Sequence, residues 1–473
     1  MTRDECTCVS FPGKHVLSHA DKKAIERAFG RHINDGQVRY LKAGHLDVLE
    51  SRRAGIRFVD PATGRVMVDA FTSAGCFNVG RNNPMVVAAL EEALETLDLG
   101  TASFASAHRM ALAEKLVEIA PGDLSRVIFA AGGGDAVDAA VKLARGATGR
   151  PEVVSTVKAY HGHTGFALSA NGKPHYRRHF EPLMPGFRFV PFGDIDAMRA
   201  AVTNRTAAIL LEPVQGEAGI FPASRAYLEE TRALCDRHGA LLLFDEVQTG
   251  FGRTGKMFAC EHAGVSPDVM MVAKALGGGL FPNAAVLHSD REPIRSFVEA
   301  HPDFHDSIVG GSDLGCFVSL RVIETIQQQD LCGNAQRMGD RLRDALQTIR
   351  QENPSIIREV RGVGLMVGLE YIHEFLGPMM CDALAKRGLF AVYSGNAPQV
   401  MRFMLPITIT ADDLDQVIDA VRAAVQDMRR LLPAALLAAK LPFGLRLLDS
   451  ERVQTALFGA FRKLEDLART KER

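Results

Sequence analysis

Seven short apolar runs, spaced by segments long enough to be helices, dominate the stretch 76–290. They are RVIFAA (126–131), EVVST (152–156), RFVPF (188–192), AAILLE (207–212), ALLLFDE (240–246), DVMMVA (268–273) and NAAVLH (283–288). None alternates polar with apolar residues. A strand with one face in water has to alternate, so both faces of these strands are expected to be covered. Such strands separated by helical lengths predict an α/β fold, a mostly parallel seven-stranded sheet between helix layers. The flanking regions read differently. Residues 15–50 are polar and helical in pattern, and GIRFVDPATGRVMVDA (55–70) is a hairpin around Asp60-Pro61-Ala62-Thr63-Gly64. After about 315 the chain turns helix-rich, with REVRGVGLMVGLEY (358–371) and QVMRFMLP (399–406) as strand candidates. The expected organisation is a large domain over 76–315, a small α+β domain built from 1–75 and 316–430, and a helical tail over 431–473.

Composition removes several function classes. A formal net charge of −1 gives no global field that favours nucleic acid. No apolar run approaches the ~20 residues that span a bilayer. The N-terminal MTRDECTCVSFPGKH has no apolar core of a secretory signal. Eight cysteines are scattered, and the close pair Cys6 and Cys8 is too tight for a standard zinc half-site. Reduced thiols, a cytoplasmic location and no metal site are therefore expected.

In an open α/β sheet, ligands bind outside the carboxyl ends of the strands. The notable residues cluster at such ends. Asp245 and Glu246 close the run LLLF, where a carboxylate is poorly solvated and needs a cation or a strong donor. A helix N-cap is the other reading of an isolated Asp-Glu. Lys274 ends the next run and is followed by ALGGG. It reads either as a snorkelling surface lysine or as an amine in an apolar cleft, able to form a Schiff base with a carbonyl. In FAAGGGDAVDAAVKLAR (129–145) the amides of Gly133 and Gly134 sit where a helix begins, an anion cradle or simply a tight turn. Tyr160 in KAYHGHTG (158–165) offers a ring for stacking or for the rim of the core. An acid for a ring nitrogen, an amine for an aldehyde, amides for a phosphate and an aromatic for a π-face together suit one ligand, pyridoxal 5'-phosphate.

The sequence here resembles the class III aminotransferases of PLP fold type I, over roughly residues 50–430. LLFDEVQTGFGRTGKMFACEHAGVSPDVMMVAKALGGG carries most of the likeness, with ILLEPVQGEAG (209–219) and CFNVGRNNP (76–84). Within the family it is most similar to the putrescine, acetylornithine and ornithine ω-aminotransferases. The resemblance implies a homodimer with shared active sites, acting on a small-molecule amine and a keto acid. It implies Lys274 as the Schiff-base lysine, Asp245 facing the pyridine nitrogen and Gln248 at the ring hydroxyl. Tyr160 would stack on the ring, with His161 and Ser307 as further cofactor contacts and Gly133 and Gly134 on the phosphate. Glu212 would support the Asp245–Gln248 pair. Arg402 would bind a substrate carboxylate, and Glu217 would neutralise it when an amine occupies the site.

The chain departs from the family pattern in places. Gly132-Gly133-Gly134 stands where Ser-Gly-Thr is usual, and Ile308 where a neighbouring subunit donates a threonine. Ser307 and Ser312 are the candidates to compensate. His163 stands where ornithine-type enzymes place an arginine, which favours an amine without an α-carboxylate. The tail RRLLPAALLAAKLPFGLRLL mixes leucines with basic residues and is expected to break at Pro433 and Pro442. It reads as helices packed on the small domain or dimer, or as an amphipathic surface for a membrane or an acyl carrier. Transamination is the leading expectation. A mutase, racemase or decarboxylase on the same scaffold, or a binding protein without catalysis, are the alternatives.

Overall fold

The computed structural model describes residues 19–43 and 47–439. All seven apolar runs form one sheet. Its strands are β1 (Leu124–Ala130), β2 (Glu152–Thr156), β3 (Phe187–Val190), β4 (Thr206–Leu211), β5 (Leu241–Asp245), β6 (Val269–Val272) and β7 (Ala284–Ser289). The spatial order is β1-β7-β6-β5-β4-β2-β3. β6, β5, β4, β2 and β3 run parallel, while β7 is antiparallel to both β6 and β1.

The missing alternation has its cause in two-sided burial. Leu241 and Leu243 point into one cluster, shared with Val137, Val141 and Ala144 of the helix Gly133–Thr148. Leu242 and Phe244 point into the other, shared with Leu234 of the helix Arg225–His238 and with Val318 and Val322 of the helix Asp313–Gln328. In register, Leu243 lies between Leu210 of β4 and Val269 of β6. Each such side chain contributes about 1.5–3 kcal/mol by leaving water.

Residues from both ends of the chain meet in smaller sheets. Arg57–Asp60 and Arg65–Asp69 form the expected hairpin. Leu389–Phe390 pairs in parallel with Arg65–Asp69. A second sheet holds Ile357–Val363, Met366–Tyr371, Ala397–Phe403 and Val392–Ser394. The run 358–371 is thus two strands, turned at Gly364, whose φ is +53°. The helix Ala411–Ala439 passes through Pro433 where a break was expected. A proline in a helix interior costs about 3 kcal/mol. Leu414, Val417, Val421, Val425, Met428 and Leu432 are buried along one stripe of this helix and outweigh that cost. Residues 440–473, where the membrane or acyl-carrier expectation falls, lie outside the described residues. No helix among the described residues is long and apolar enough to cross a membrane.

Two local features link these parts. Thr72, Ser73 and Ala74 all have positive φ (52°, 50° and 57°), a left-handed turn without glycine at those positions. Arg253 is almost fully buried. It donates to Leu365 O at 3.1 Å, to Leu405 O, and to Thr72 Oγ1 at 3.4 Å. One guanidinium therefore joins the loop after β5, the left-handed turn and the second sheet. Arg253→Leu would strip donors from buried oxygens at about 1–3 kcal/mol each. The thermal midpoint, followed by circular dichroism, is expected to fall by several degrees. An unchanged midpoint would refute this role.

Candidate active site

Strand geometry separates the adjacent carboxylates Asp245 and Glu246. Successive side chains of a strand face opposite ways, and the Glu246 amide continues the β5–β6 pairing with Met271 O at 3.0 Å. Glu246 turns inward and accepts from Ala259 N (3.0 Å), Cys260 N (2.8 Å) and the Thr249 hydroxyl. It is a buried structural cap. Asp245 faces the crevice at the sheet's carboxyl edge. Its Oδ1 accepts from Val247 N at 3.1 Å, and its Oδ2 lies 2.8 Å from His161 Nδ1. His161 is held in turn, since its amide donates to Asn171 Oδ1 at 2.7 Å. Lys274 follows β6 with a φ of +40° and opens a single 3₁₀ turn, Lys274–Gly277. The nearby Cys76 thiol is pushed up by burial, with the Lys274 charge acting in the other direction.

One cavity brings most of the expected residues together. Gly133, Gly134, Tyr160, His161, Glu212, Glu217, Asp245, Gln248 and Lys274 line it, along with Gly162 and Val247. Gly133 and Gly134 start a 16-residue helix, so their free amides point outward at its positive end. Glu212 does not bond Asp245 or Gln248 as expected. Its oxygens accept from the amides of Tyr160 and Gly216, each at 3.1 Å, and so fix the loops that carry Tyr160 and Glu217. Burial pushes its carboxyl up to about 7, against the opposing pull of His161. Asp245 takes its support from His161 instead. Gln248 reaches over Gly216, where a Cβ would fall within its side-chain amide, and donates to Ala74 O at 3.3 Å.

Arg402 and Glu217 form a pair beside the cavity, and His163 is an exposed neighbour of Tyr160 and Tyr176. Arg402, on Ala397–Phe403, is 3% exposed and pairs through Nη1 with Glu217 Oε1. The face of Phe71 is 5.2 Å from its guanidinium carbon. Glu217 Oε2 accepts from Gly395 N at 3.1 Å. His163 packs edgewise on Tyr160, ring centroids 5.6 Å apart. Ser307 does not line the cavity of its own chain. Its hydroxyl accepts from Gly310 N at 2.9 Å, and Ser312 Oγ caps the helix that begins at Asp313. Ile308 beside it is 76% exposed. The sequence reading passed over Tyr176, whose ring lies 5.3 Å from Tyr160 and 5.9 Å from His163. It sits on a four-residue helix, Pro174–Arg177, too short for any periodic signal.

Comparison with known proteins matches this geometry. The class-III aminotransferase family pattern covers residues 41–425. An uncharacterized aminotransferase of Archaeoglobus fulgidus is 38% identical over 405 residues, 86% of this chain and 94% of that protein. The ornithine aminotransferase of Toxoplasma gondii, whose structure has PLP at partial occupancy in its active site, superposes with a TM-score of 0.79. It is 26% identical, over 87% of this chain and 96% of its own. An (S)-enantioselective ω-transaminase of Thermomicrobium roseum gives a TM-score of 0.77 at 28% identity, over 87% and 99% of the two chains. Proteins of this family use pyridoxal 5'-phosphate as cofactor. The cavity has the chemistry that group needs. It offers helix-terminal amides for a phosphate, a poorly solvated carboxylate, an aromatic ring and a lysine amine. From its sequence, its fold and the contents of this cavity, the chain belongs to the class III aminotransferases, and it is a PLP-dependent enzyme that transfers amino groups.

Proposed function

We propose that the donor is a primary amine at the end of an aliphatic chain, such as a diamine or an ω-amino acid. The acceptor in this reading is a keto acid, 2-oxoglutarate ahead of pyruvate. The observation that carries it is the buried pair of Arg402 and Glu217 at the cavity rim. A fork of guanidinium N–H groups suits a carboxylate. A single such clamp serves the acceptor in one half-reaction and has to be masked when a cationic amine enters. An unpaired buried arginine would cost several kcal/mol, which gives Glu217 its purpose. His163, in place of an arginine, leaves the donor's α-carboxylate without a dedicated partner. The structural likeness to an ornithine aminotransferase and to ω-transaminases supports the same substrate class.

In this reading PLP, when bound, supplies the electron sink that stabilises charge developing on the substrate carbon. The protein's own groups do the rest. Lys274 Nζ would anchor the cofactor and carry the proton taken from the substrate carbon. Asp245, oriented by His161, would keep a proton on the ring nitrogen. Tyr160 would lie against the ring, Gln248 would meet the ring hydroxyl, and Gly133 and Gly134 would hold the phosphate through their amides. Glu212 positions Tyr160 and Glu217 by gripping their loops. The same reading assigns 76–315 to the cofactor-binding lobe and the described part of 1–75, with 316–430, to the second. The exposed Ile308 and Val309, next to Ser307, fit a homodimer in which each chain completes the other's site, and a cytoplasmic location belongs to the same reading.

Lys274→Ala is expected to lose transamination by at least about 10³-fold, because no second lysine among the described residues lines the cavity. Residual turnover near wild type would refute the assignment. Arg402→Ala should raise the KM for 2-oxoglutarate about 10²-fold, by loss of a charge-assisted pair, and leave the KM for a diamine within about threefold. Steady-state kinetics with a panel of amines against both acceptors measures this. Equal loss on both sides, or strict need for an α-amino acid donor, would overturn the substrate reading.

A further inference from the structure

A clamp that is masked and unmasked needs somewhere to put the mask. When a keto acid's carboxylate takes Arg402, Glu217 must leave it, and a half-buried carboxylate left with a single amide donor is disfavoured. The backbone at Glu217 is not free to follow, because its carbonyl accepts from Asn396 N at 3.1 Å. The side chain alone has to swing. Its Oε2 already rests on Gly395 N, and that contact serves as a pivot.

The space beside this pivot is bounded on its far side by a hydroxyl. A Cβ placed on Gly395 would lie 3.2 Å from Glu217 Oε2 and 3.1 Å from Tyr176 Oη. The carboxylate and the phenol thus both border the position that a side chain at Gly395 would fill. Tyr176 is held in place. Its ring packs against Tyr160 and His163, and against His175 at 4.1 Å. Its turn is tied to the same loop, since Lys173 Nζ donates to Asn396 O at 3.3 Å. Burial and the neighbouring charge of Glu217 both push the phenol's pKa up, so it stays protonated and can donate. Arg402 Nε has no partner among the described residues, so the guanidinium keeps an unused donor for an incoming carboxylate.

We infer that Tyr176 Oη, with Gly395 N, is the second seat of the Glu217 carboxylate, occupied when Arg402 binds the acceptor. Tyr176 is then a positioning residue, which acts through Glu217 on one half-reaction only. The inference rests on the Arg402–Glu217 reading above.

The two half-reactions separate it from a structural role. Tyr176→Phe removes the donor and keeps the ring packing. It is expected to raise the KM for 2-oxoglutarate and the inhibition constant of glutarate, an unreactive dicarboxylate, about tenfold or more. The KM and kcat for the amine half-reaction should stay within about twofold, a change that small being under half a kcal/mol. Gly395→Ala fills the gap from the other side and should give the same one-sided loss. Changes of equal size in both half-reactions, or none in either, while Arg402→Ala remains selective, would overturn the Tyr176 inference and leave the clamp standing. An Arg402→Ala variant that is itself unselective would overturn the clamp and this inference together.

Discussion

The site is organised around one buried negative charge. Asp245 ends a strand whose preceding residues are fully buried, so its carboxylate cannot be satisfied by water. An uncompensated charge in such a place would cost several kcal/mol. The compensation reaches outward in shells. His161 meets the carboxylate, Asn171 fixes the His161 backbone, and Glu212 fixes the next residue back, Tyr160. Three loops at the sheet's carboxyl edge are thereby locked to one another. In the proposed reading, the pyridinium of the family's cofactor would be a cation for this carboxylate to pair with.

Much of this was readable from the sequence because the signals are strong where the packing is two-sided. β2, β4, β5, β6 and β7 are buried at every position and show as mainly apolar runs, and Lys274 and Asp245 are visible as charges that end such runs. The Arg402–Glu217 contact joins residues 185 positions apart, and only the family resemblance indicated it. What was not legible depends on close approach or on packing between distant segments. Gln248 over Gly216 is a contact between two loops with no period. Tyr176 sits in a four-residue turn. The support given to Asp245 fell to His161 rather than Glu212, because both partners lie on loops whose relative height no spacing reveals. Pro433 was expected to stop a helix, and local propensity lost to a long buried stripe.

The carboxylate chemistry of the rim and that of the floor differ in kind. On the floor, Glu212 and Glu246 serve backbone amides and are committed to their loops. At the rim, Glu217 has one oxygen on a guanidinium and the other on a single amide, a set of partners that can be exchanged. Rigidity below and exchange above is what an enzyme needs if it must hold one cofactor and admit two substrates of different charge in turn.

The left-handed turn at Thr72–Ala74 has a bearing on how the protein is made. Three non-glycine residues in that conformation are unfavourable by roughly 1–2 kcal/mol each. The turn is held by Thr72 Oγ1 on Met404 O at 2.8 Å and by Met404 N on Ala70 O at 2.8 Å. The first of these spans 332 residues of chain. Domains fold as they emerge during synthesis, N-terminal parts first, and the local bond of Thr72 N to Asp69 Oδ1 (2.7 Å) can form early, but the two bonds to Met404 wait until that residue has left the ribosome. A nascent chain can complete its central sheet well before that. The last ties of the turn that carries Ala74 are therefore made only on a chain that has been almost fully translated.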